Sequence, residues 1–109
     1  MLRLRLELIV AGLLVLPVIV HATTDHHVGQ KNKAFSTDTL LIKPGDRVIF
    51  ENDDKITHNV YSTHKGKTAF NLKAQAPGVS TSVTFANEGN FDVRCAFHPK
   101  MKLLVVVKQ

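Results

Sequence analysis

From Val28 to the end of the chain, apolar residues recur at every second position in short runs, with glycine, proline, asparagine and aspartate standing between the runs. No segment keeps the three- and four-residue apolar spacing of a helix over three turns, so the pattern requires strands. Val48 and Phe50 share one side of Arg47 to Glu51, and Val79, Thr81, Val83 and Phe85 share one side of a later run. Phe91, Val93 and Cys95 continue the same period beyond a turn at Asn87 to Asn90. Thr39 to Lys43 is β-prone, and Pro44-Gly45-Asp46 predicts a hairpin joining it to Arg47–Glu51. Asn52-Asp53-Asp54 ends that pair, and Ile56 to Ser62 opens another extended piece. Lys102 to Lys108 holds a continuous Leu-Leu-Val-Val-Val run, as expected of a strand covered on both faces. Thr63 to Gly78 is the least regular stretch, with room for a short helical turn and with Phe70 as a packing residue. The expected class is all-β, a two-sheet sandwich with Greek-key connections.

Residues 1–22 follow a different logic. Arg3 and Arg5 precede the apolar run Leu8 to Val20, and Val20-His21-Ala22 ends it on a small residue. This is the layout of a secretory signal peptide cleaved after Ala22, which predicts export, a periplasmic location and a mature domain at residues 23–109. The apolar run is 13 residues long and interrupted by Pro17, short of the roughly 20 that a spanning helix needs, so no stable membrane insertion is expected after removal of the signal. Thr23 to His27 reads as a frayed terminus, with His26 and His27 solvated.

A mature domain of 87 residues lies near the size at which exported folds add a disulfide or a metal. Cys95 is the only cysteine, so the chain cannot form a disulfide with itself. A lone thiol in an oxidising compartment must be buried, paired between chains or occupied by a metal. The whole chain carries a net charge of +5; without Arg3, Arg5 and Glu7 it has twelve Lys and Arg against eight Asp and Glu, or +4. Such a surface attracts acidic partners. It does not suit nucleic acid, because the lysines are scattered and there is neither an arginine cluster nor an aromatic stacking series.

The strongest local signal is Cys95-Ala96-Phe97-His98-Pro99-Lys100-Met101, directly before a strand. A thiolate, an imidazole and a thioether within one tight loop can turn toward a common point. Soft thiolate and imidazole select copper or zinc, and two His with one Cys and a weak axial Met make a blue-copper set. A second His must come from elsewhere; His58, in Thr57-His58-Asn59-Val60, is the candidate, with His64 as its competitor. Zinc on the same residues would be redox-silent and colourless. Met101 taken alone would be a core residue more often than a ligand.

With His58-Asn59-Val60 and Cys95-x-x-His98-x-x-Met101, the chain resembles the cupredoxins, small blue type 1 copper proteins. The likeness is to the amicyanin and plastocyanin group, including methylamine-utilisation cupredoxins, and covers Val28 to Lys108. It implies an eight-stranded sandwich and one copper ion, Cu(II)/Cu(I), held by His58, Cys95, His98 and Met101, with Asn59 bracing the cysteine loop. It also implies a carrier of single electrons between redox proteins; the basic charge predicts acidic docking surfaces on them, and a monomer is expected. Electrons would pass at His98, ringed by Ala96, Phe97 and Pro99, of which Phe97 reads as a packing residue. Val93 stands where many relatives have an aromatic residue, and Ala96-Phe97 replaces the more usual Thr-Pro.

The alternative is an exported protein that stores, delivers or senses copper. Such proteins favour open sites rich in Met and His, whereas Met101 is the one methionine after residue 22. An enzyme is not expected: the sequence offers neither a second metal cluster nor paired carboxylates near the motif.

Overall fold

Buried and exposed side chains alternate along the strands, and the inward rows of two sheets face one another. The computed structural model describes residues 5, 7, 9–17, 22–63 and 69–109. Among the described residues nine strands form: β1 (Asp25–Lys31), β2 (Ala34–Phe35), β3 (Thr39–Ile42), β4 (Arg47–Asn52), β5 (His58–Ser62), β6 (Phe70–Gln75), β7 (Ser80–Thr84), β8 (Gly89–Arg94) and β9 (Lys102–Val107). One sheet has the order β2-β1-β4-β7 and the other β3-β9-β8-β5-β6. The expected all-β sandwich is thus present, with nine strands rather than eight; β2 adds only two residues, paired to β1.

Val48 and Phe50 project from the first sheet, and Phe91, Val93, Leu103 and Val105 from the second, all buried. Rings cross the space between them in series: Phe50 to Phe70 at 6.2 Å, Phe70 to Phe85 at 5.9 Å and Phe85 to Phe91 at 5.3 Å between centroids. Tilted and edge-on rings fill volume while keeping favourable quadrupole geometry, and truncating one to alanine costs about 3–5 kcal/mol.

The predicted hairpin of β3 and β4 does not form. β3 runs parallel to β9 in one sheet, while β4 runs parallel to β1 and antiparallel to β7 in the other. The intervening turn crosses between sheets because its polar groups are taken by other elements. Gly45, at φ +92°, donates its N–H to Phe85 O at 2.7 Å. The Asp46 carboxylate accepts the N–H groups of Lys43 and Thr24, each at 3.0 Å.

Three local expectations also change. Residues 25–27 belong to β1, paired with Arg47–Ile49 of β4, and His26 and His27 are hydrogen-bonded to Asp46 and Glu51 rather than simply solvated. β9 alternates despite its continuous apolar sequence, leaving Leu104 40% exposed, because the second sheet is covered by the first on one face only. The irregular stretch contains a strand, β6, in place of a helical turn; Lys73 there adopts φ +63°.

Among the described residues no helix is long and apolar enough to cross a membrane. Residues 9–17 form neither helix nor strand, and their apolar side chains from Ile9 to Leu16 are exposed.

Candidate metal centre

β5 and β8 are antiparallel neighbours with Tyr61 opposite Arg94 and Ser62 opposite Val93. Continued past the last pair, that register lays the start of β5, at His58, beside the loop that begins at Cys95. His58 and Cys95 are thereby joined across 37 positions of sequence. Cys95 Sγ stands 3.8 Å from His58 Nδ1 and 3.8 Å from His98 Nδ1. The two imidazole rings lie 4.9 Å apart at 59°, and the three donor atoms all fall within 4.8 Å of one another. Thiolate and imidazole bonds of about 2.3 and 2.0 Å spread at 120° around one centre place S and N about 3.7 Å apart, so this triangle fits a single ion.

Burial divides the three residues. His58 and Cys95 are fully enclosed, whereas His98 is half-buried. Lys33, Phe97, His98, Pro99 and Lys100 line a shallow depression at the surface. Phe97 is 55% exposed and so does not serve as core packing; the loop turns it outward while Cys95 and Met101 turn in. Met101 is buried, and its N–H donates to His98 O at 2.9 Å, closing the turn through Pro99 and Lys100. His64 lies outside the described residues.

A second layer holds the first. Asn59 donates its backbone N–H to Cys95 Sγ at 3.3 Å and accepts the Ala96 N–H on its side-chain oxygen at 3.2 Å. Its amide donates to Asn71 Oδ1 and Lys73 O, tying the loop to β6. Because the brace uses the backbone of residue 96, alanine there leaves it intact. Sequence reasoning missed Asp54, whose Oδ2 lies 2.9 Å from His58 Nε2. The His58 bond, then the N–H groups of Lys33 and Lys55, hold its carboxyl at about 2, below the usual 3.8. The four-residue interval from Asp54 to His58 was its only trace in the sequence, hidden in a run that otherwise reads as a turn.

Residues 22–108 match the family model described as copper binding proteins, plastocyanin/azurin family. The chain belongs to this cupredoxin family. Its cofactor class is therefore copper, which the soft S and N donors gathered here suit. Methylamine utilization protein MauL of Methylorubrum extorquens is 30% identical over 80 residues, covering 73% of this chain and 66% of the relative. Amicyanin of Paracoccus denitrificans is 32% identical over 76 residues, covering 68% of this chain and 58% of that protein. The cupredoxin thus matches somewhat less than two thirds of the length of these curated relatives. Among solved structures, amicyanin from Paracoccus versutus aligns with a TM-score of 0.70 at 28% identity, over 76% of this chain and 80% of that one. A purple cupredoxin from Nitrosopumilus maritimus aligns with a TM-score of 0.69 at 26% identity, over 76% and 99%. A copper-containing nitrite reductase from Thermus scotoductus, 24% identical, shares the fold alone.

Proposed function

We propose that this cupredoxin is an exported type 1 copper protein that carries single electrons between redox partners, with His58, Cys95 and His98 as copper ligands and Met101 as a weak fourth. The observation that carries the reading is the closed triangle of one thiol sulfur and two imidazole nitrogens, of which one imidazole, His98, reaches the surface. Bound copper supplies a Cu(II)/Cu(I) couple. Everything else falls to the chain. Asn59 steadies the sulfur, the two sheets keep the ligands from rearranging between oxidation states, and His98 offers a short path to a docked protein.

Phe97 and Pro99 give that docking surface an apolar centre, and Lys33 and Lys100 give it positive charge. This combination suits an acidic partner met as a monomer. Export is read from residues 1–22, removed after Ala22 to leave a periplasmic protein; the family match opens at residue 22, where the leader is taken to end. A storage or delivery role is less well supported, because a donor set this enclosed exchanges its ion slowly.

The test is an absorption spectrum and voltammogram of the copper-loaded exported protein. An intense thiolate-to-copper band in the visible and a reversible one-electron wave are expected. A colourless site, or copper exchanging within seconds without a reversible wave, would overturn the electron-carrier reading.

A further inference from the structure

Asp54 belongs to neither the ligand triangle nor the docking surface, yet its carboxylate is held by two backbone N–H groups and one imidazole. Its side chain is 13% exposed, and the His58 ring it meets at 2.9 Å is wholly buried. Lys33 N–H donates to its Oδ2 at 3.1 Å and Lys55 N–H to its Oδ1 at 2.9 Å. Its own N–H donates to Asn52 Oδ1 at 3.0 Å, while Asn52 Nδ2 donates to Ile56 O and Gln75 O at 2.9 and 2.8 Å. The Lys33 N–H is aimed by the tight turn between β1 and β2, in which Asn32 and Lys33 take φ of 53° and 55°. Left-handed backbone at two consecutive non-glycine residues carries a cost that the surrounding bonds must offset. Three segments therefore converge on one carboxylate, and that carboxylate has one side-chain partner, a candidate ligand.

We propose that Asp54 is a positioning residue for the copper site, setting both the orientation of His58 and the balance between the two oxidation states. The inference rests on the electron-carrier reading. A carboxylate can only accept, so the Nε2 of His58 that faces Asp54 carries a ring proton, and Nδ1 is the nitrogen turned to Cys95 Sγ. A buried imidazole N–H without an acceptor is left unsatisfied, so Asp54 selects one tautomer and one ring position. A carboxylate in that place also raises the basicity of the ligating nitrogen. Its negative charge, in a site shielded from water, favours the more positive oxidation state. His98, half-buried and close to solvent, gains much less from such a partner.

The experiment compares Asp54→Asn, Asp54→Ala and Asp54→Glu in the full exported protein. Asp54→Asn keeps an acceptor and loses the charge; the ratio of Cu(II) to Cu(I) affinity should fall about tenfold, a rise of about 59 mV in potential. Asp54→Ala should also lower copper affinity 10- to 100-fold and shift the visible band, with Asp54→Glu restoring part of both. Nitrogen-15 shifts of the His58 ring in the metal-free protein should report the Nε2–H tautomer in the parent and a mixture in Asp54→Ala. Parent potential and copper affinity in Asp54→Asn, with an unchanged His58 tautomer in Asp54→Ala, would overturn the proposal. If Asp54→Ala does not fold, Asp54→Asn decides by potential alone. If the parent protein shows no reversible wave, the electron-carrier reading fails by itself, and the tautomer measurement still decides whether Asp54 positions His58.

Discussion

The backbone N–H of Asn59 points at the Cys95 sulfur from 3.3 Å, and the side-chain oxygen of the same residue holds the N–H of Ala96, the next residue along the loop. One residue of β5 thus grips the ligand loop at two consecutive positions. The first bond survives any change of side chain except to proline, whereas the second is lost with the side-chain oxygen. Asn59→Ala should leave the visible copper band in place. It should destabilise the metal-free protein by about 1–3 kcal/mol, because it strips partners from buried polar groups. Urea unfolding beside a visible spectrum checks both halves.

Met101 is buried and adjoins the ligand loop, so its replacement must separate packing from coordination. Leucine conserves volume and should cost less than about 1.5 kcal/mol in stability. With Met101 as the proposed weak fourth ligand, Met101→Leu should keep copper on His58, Cys95 and His98 and raise the reduction potential, since a long thioether bond tunes the ion more than it holds it. Cys95→Ser should abolish the intense visible band. A Met101→Leu protein with unaltered potential and spectrum would make Met101 a core residue only.

Asp46 predicts an acid-dependent loss of stability. The N–H of Thr24, His26 and the N–H of Lys43 together lower its carboxyl from 3.8 to about 2. A carboxyl that is harder to protonate when folded contributes stability above its unfolded value, and that contribution disappears as pH falls from about 4 toward 2. Asp46→Asn should therefore unfold more easily than the parent at pH 7, by about 2 kcal/mol, and the gap should close below pH 3. Denaturant midpoints of both proteins across that range give the answer.

Lys33 and Lys100 flank the depression that contains His98. Oxidation of the reduced protein by an anionic reagent such as ferricyanide should slow as salt rises, since screening sets in over about 10 Å at 0.1 M. Lys33→Gln combined with Lys100→Gln should remove most of that dependence. Stopped-flow rates insensitive to salt in the parent would leave the apolar surface around Phe97 as the whole docking determinant.

Cys95 and His98 are legible in the sequence because their association is local: a spacing of three residues in a loop before a strand leaves few ways for the thiol and the imidazole to miss one another. The period of two along Phe91, Val93 and Cys95 likewise dictates which face is buried, since a strand has only two faces. Strand pairing has no such local rule. The Pro44-Gly45-Asp46 turn reverses the chain whether or not its flanks join, and only contacts with Thr24 and Phe85, each about 20 or more residues away, send β3 and β4 to different sheets. His58 reaches Cys95 only through the register of β5 on β8, and the bond from Asp54 to His58 depends on where the distant β1–β2 turn delivers the Lys33 N–H. The sequence by itself determined a strand-rich domain and a soft-donor loop, because period and spacing act within a few residues. Only the tertiary structure brings His58 to Cys95 and Asp54 to His58, because those contacts are made by hydrogen-bond partners that meet only when both sheets have closed.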